Sequence, residues 1–163
     1  MRRLILSTLA ILSLGPVAAR AATSLSTERA LAAAKAALVS CERGGYHVTV
    51  TAVDSSGLAR IVLRGDGATP HTLDSSRGKA YTVVTFAPIN GLTLTSELAT
   101  RILASPETAQ LANLPNILLL SGGIALKVGN EVVGGLGVAG APGGKFDEDC
   151  AKVGAQEFGE GLR

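Results

Sequence analysis

The chain has 163 residues, 47% of them apolar and 17% charged, which suits one domain with a real core rather than two. That balance excludes a disordered chain, and no glycine period or heptad pattern points to collagen or a coiled coil. Only 3% of residues are aromatic and Trp is absent, which counts against a stacking platform for single-stranded nucleic acid.

Residues 1–21 read as a secretory signal peptide. Arg2 and Arg3 form a basic start, residues 4–14 are almost wholly apolar, and Ala19-Arg20-Ala21 fits small-x-small cleavage. The apolar run is shorter than the roughly 20 residues a bilayer needs. Cleavage after Ala21 leaves a single domain, 22–163, and removes three of the 15 basic residues. The remaining 12 stand against 13 acids, a net charge of −1. The electrostatic case for nucleic acid or an anionic membrane disappears with the signal. Export to the periplasm or the medium also makes the compartment oxidising. Cys41 and Cys150, the only two cysteines, then either form a disulfide or stay separate as small buried residues; the bridge is the expectation.

Residues 26–43 read as a helix. Leu31, Ala34, Leu38 and Cys41 recur on one face, Ser26 or Thr27 caps the start, and Gly44-Gly45 stops it. Residues 46–54 follow as a strand, with Val48, Val50 and Ala52 on one face and Thr49, Thr51 and Val53 on the other. Asp54-Ser55-Ser56-Gly57 is a turn, and residues 58–64 return to complete a hairpin.

A Gly-rich loop through Pro70 leads into a second helix that begins between Thr69 and Thr72. Leu73, Ala80 and Val84 share one face of it, and Pro88 is expected to end it. Residues 95–104 and 106–111 read as two short helices capped by Thr95 and Ser105, with Glu97 and Glu107 in their first turns. Residues 117–120 form an apolar run that suits a strand buried on both faces. Residues 125–128 and 131–138 flank Gly129-Asn130, a two-residue hairpin turn. Residues 147–160 make a final helix. The expected order is α-β-β-α-α-β-β-β-α, an α+β fold with a mainly antiparallel five-stranded sheet flanked by helices.

No Walker loop, His-Glu-x-x-His or Cys-x-x-Cys is present. The strand 131–138 presents Val132, Gly134, Leu136 and Val138 on one face. The other face carries Glu131, Val133, Gly135 and Gly137. Its bare second face admits a closely packed helix of the same chain, a flat ligand or another subunit, and the helix is the expectation. His47 reads as an ordinary strand-end residue. His71 sits at a helix start, where the dipole disfavours imidazolium; it either bonds loop backbone and solvent or, as a neutral ring, ligates a transition metal or haem iron. Asp74 and Arg77 have the spacing of a helix-surface pair. Ser75 and Ser76 have no spacing that predicts a triad with either histidine.

The stretch 65–82, GDGATPHTLDSSRGKAYT, resembles the central motif of the GlcG/HbpS-like family of haem-binding proteins. Val50-Thr51-Ala52-Val53-Asp54-Ser55-Ser56-Gly57 is similar to that family's first hairpin. Gly122-Gly123-Ile124 and residues 132–138 resemble its closing strands, and residues 147–151 its last helix. The resemblance implies a profilin-like or roadblock-like domain, homo-oligomers and haem binding. It points to His71 as iron ligand, with Arg77, Lys79 and Tyr81 as further cofactor-binding candidates and Arg77 or Lys79 near the propionates. The expected function is haem storage, sensing or scavenging without turnover. The alternatives are an accessory interaction subunit of a periplasmic oxidoreductase or sensor system, and an enzyme acting on haem or a small organic acid.

Overall fold

A computed structural model describes residues 24–161; the signal peptide expected over 1–21 lies outside the described residues. The elements run α1 (Thr27–Arg43), β1 (Thr49–Asp54), β2 (Ala59–Arg64), α2 (Thr72–Asn90), α3 (Thr95–Ile102) and α4 (Pro106–Ala109). A 3₁₀ turn (Gln110–Asn113), β3 (Gly123–Val128), β4 (Glu131–Ala139) and α5 (Gly144–Glu160) complete the chain. This is an α+β fold. Its sheet has the order β2-β1-β4-β3, and every neighbouring pair is antiparallel. α1 and α5 cover one face and α2 the other.

The sheet has four strands and not the five expected. Residues 117–120 form no strand. They run along α2 instead. The Leu118 N–H donates to the Thr82 hydroxyl at 2.8 Å, and the Leu118 Cβ packs against Gly78. Ile117 and Leu119 are half-buried and pack against the cluster that holds Val83, Phe86 and Leu98, while Leu120 stays 56% exposed. An apolar run that finds a helix groove and side-chain partners for its backbone does not need a ladder.

Other boundaries move for physical reasons. α2 passes through Pro88 and ends at Gly91, which is left-handed and donates its N–H to Ala87 O at 2.9 Å. Thr95 does not cap α3. Its buried hydroxyl accepts the Gly123 N–H at 2.9 Å, and Glu97 reaches back to the N–H groups of Thr93 and Leu94. Ser105 does cap α4. α1 buries Ala30, Ala33, Ala34, Ala37 and Cys41, while Leu31 faces solvent.

The alanine face of α1 lets it lie close to α5. There Cys41 and Cys150 form a disulfide, with Cα atoms 5.5 Å apart. On the opposite side α2 approaches the sheet closely enough for hydroxyls to pair across it. Thr49 meets Thr72 and Thr51 meets Ser76, each at 2.7 Å. A register shift in β4 leaves Val133 as an extra residue opposite β3. It moves Val133 to the α1–α5 side beside Leu136 and Val138, and Val132 to the α2 side beside Val53, Ala80 and Val84. The simple alternation expected for 131–138 therefore holds only beyond the bulge. Gly135 and Gly137 face α2, so the bare face serves packing within the chain.

Candidate functional site

The N-terminal half of α2 lies between two loops, 120–122 and 139–144. Between them opens a cleft of about 460 Å³. His71 and Ser75 stand on the α2 side. Leu120 and Ser121 form one rim, and residues 139–144, all Ala, Gly or Pro, form the other. Lys79 and Asp147 also line it.

His71 immediately precedes α2 and is exposed. Its Nδ1 lies 3.1 Å from the Thr69 hydroxyl, which orients the ring while its other nitrogen makes no hydrogen bond among the described residues. His47 plays a different part. Its Nδ1 lies 2.7 Å from Asp66 O, and the ring packs on Gly67, so it braces the Gly-rich loop.

Lys79 does not present a free ammonium. Its Nζ donates to Asp147 Oδ2 at 2.7 Å and to Val138 O at 2.8 Å, and both side chains of the ion pair are about 95% buried. Asp147 Oδ1 accepts the Ala141 N–H at 3.0 Å. Burial pushes the Asp147 carboxyl above its ordinary 3.8. The Lys79 hydrogen bond and charge, and the N–H groups of Ala141 and Gly140, oppose that rise. No pattern of spacing marked Asp147 beforehand, because its partner lies 68 positions away.

The remaining candidates lie elsewhere. Arg77 is exposed and lines an adjoining groove of about 310 Å³ with Asp74, Gly78 and residues 116–118; Ser75 belongs to both depressions. The Asp74–Arg77 ion pair that the spacing permits is not formed among the described residues. Tyr81 is half-buried with its ring against Gly57 in the β1–β2 turn, away from the cleft. The structure thus brings His71 and Lys79 to one cleft, with Arg77 beside it and Tyr81 apart. Among the described residues there is no group of three or more His, Cys, Asp or Glu side chains placed to hold a metal ion.

The chain is 38% identical to HbpS in a crystal structure of which it covers 97%, with 89% of this chain aligned and a TM-score of 0.77. A double mutant of Streptomyces reticuli HbpS is 37% identical, covering 92% of this chain and 97% of that one, with a TM-score of 0.75. A structure described as a PduOC haem complex shares the fold at 24% identity, with a TM-score of 0.71 over 82% of this chain and 94% of that one. No curated protein matches the chain. Residues 25–156 match the family model described as haem-degrading protein HbpS-like, and the chain belongs to that family.

Proposed function

We propose that this chain is an exported haem-binding protein that takes haem at the cleft beside His71. The observation that carries the reading is an exposed imidazole on the rim of a 460 Å³ depression whose opposite rim is built only of small residues. Such a wall lets a flat group approach the backbone, and an exposed imidazole with one ring nitrogen unbonded among the described residues suits iron ligation. The kinship with HbpS and the haem complex of a protein with the same fold support a haem-related role.

The residues present fit a surface-bound haem rather than an enclosed one, since no aromatic side chain lines the cleft. His71 would hold the iron. Lys79 is committed to Asp147, so Arg77 in the adjoining groove is the candidate left to meet a propionate. Bound haem would supply an iron coordination position for the imidazole. The role is storage, sensing or scavenging, carried out in the periplasm or outside the cell by a homo-oligomer. Export rests on the signal-like residues 1–21 and agrees with a disulfide, which persists in oxidising compartments.

Titration of the purified, metal-free protein with haemin tests this. The expected result is a saturable Soret shift that His71→Ala abolishes while leaving the fold intact. A spectrum equal to that of free haemin, or one unchanged by His71→Ala, overturns the assignment. A Soret band that decays with reductant present would move the function to haem degradation.

A further inference from the structure

We infer that the buried Lys79–Asp147 pair is a clasp that sets the shape of the cleft, so that both residues are positioning residues for its ligand. The reading that haem is the ligand underlies only one arm of the test.

Four bonds converge on this pair or on the loops beside it. Lys79, from α2, takes Val138 O at the end of β4. Asp147, from the first turns of α5, takes the Ala141 N–H two residues into the next loop. The two ions meet at 2.7 Å. The Val138 N–H donates to Gly122 O at 2.8 Å, which ties in the opposite rim. The ion pair therefore joins α2 and α5 to Val138 and Ala141, and Val138 in turn bonds the 120–122 loop, so that all four walls of the cleft meet at it.

Backbone strain follows the same clasp. Gly122 has φ +120°, and a Cβ there would lie 2.7 Å from Asp147 Cβ and 2.9 Å from Lys79 Nζ. Gly140 has φ +135° and passes against the backbone of His47 and Val48. Both loops hold conformations that glycine adopts readily, and at Gly122 the backbone lies directly against the pair.

Stability alone does not account for such a pair. The desolvation penalty of two buried ions consumes most of their attraction, and well-packed apolar side chains of similar volume hold helices equally well. Apolar groups cannot accept the Ala141 N–H or donate to Val138 O. What the ions add is directional anchoring of loop backbone that otherwise turns to solvent.

The test compares the disulfide-intact wild-type protein with a Lys79→Met, Asp147→Leu double variant. Hydrogen exchange is read over residues 118–123 and 138–146, and haemin affinity is read alongside. The expected result is exchange at least about tenfold faster in those two segments, with the β1 amides unchanged. Haemin affinity should weaken about tenfold. Unchanged exchange in both segments overturns the clasp. Faster exchange with unchanged haemin affinity overturns the positioning role. Should wild type itself fail to bind haemin, the proposed function falls while the exchange arm still decides the clasp. If the double variant does not fold, Lys79→Gln with Asp147→Asn removes the charges, keeps the polar contacts and should give smaller changes in the same segments; no change in exchange there overturns the clasp as well.

Discussion

Gly137 on β4 faces the backbone carbonyl of Ser76 on α2, and only a hydrogen atom fits between them. The hydroxyl of the same Ser76 meets that of Thr51 at 2.7 Å. The second long helix thus lies on the sheet backbone to backbone, and this contact sets the depth at which His71 and Lys79 enter the cleft.

Gly137→Ala should therefore cost about 3 kcal/mol or more, because the intruding methyl meets backbone rather than a movable side chain. Gly159→Ala on α5 is the matched control. Nothing lies within 4 Å of its Cβ position. It should be neutral or stabilising by up to about 1 kcal/mol. Urea unfolding of both variants checks the contrast.

Removing one ion of the clasp should be worse than removing both. Lys79→Met alone leaves Asp147 buried without its counter-charge and should cost about 3–5 kcal/mol, while Lys79→Met with Asp147→Leu should fall within about 1 kcal/mol of wild type. Denaturation midpoints at neutral pH decide it; equal losses in the two variants would contradict the pairing.

Acid titration has a definite sign. Burial raises the Asp147 carboxyl above 3.8, so the folded chain holds this proton more tightly than the unfolded chain does. The group's contribution is fully present below 3.8 and is lost as pH rises through the folded value. The stability of wild type relative to the Lys79→Met, Asp147→Leu variant should therefore decrease from pH 3 upward across that window. A difference that grows with pH would show that the Lys79 attraction outweighs burial.

Reducing the Cys41–Cys150 bridge should cost about 2–5 kcal/mol, since it closes a span of 109 residues between α1 and α5. Unfolding with and without dithiothreitol measures it. His71 lies on the other side of the sheet, so haemin binding to the folded reduced protein should be unchanged.

The hairpin of β1 and β2 was legible because alternation and turn residues are local, and β1 faces its two layers as its pattern predicts. His71 at the start of α2 was legible for the same reason. Residues 117–120 were not, because an apolar run states that a segment is buried and not what buries it. The bulge at Val133 was not legible either, since the adjacent Val132 and Val133 suit either face and only the pairing with β3 separates them.

Local chemistry therefore determined the helices, four of the five strand segments and the imidazole at a helix start, all within reach of neighbours a few positions away. The tertiary structure alone decided that Lys79 meets Asp147 across 68 positions, that Arg77 and Tyr81 turn away from the cleft, and that the helix expected on the bare face of β4 is α2. The physical reason is range. Propensity and periodicity act over one or two turns, whereas an ion pair, a cleft and a close helix–sheet contact exist only once distant segments have been brought together.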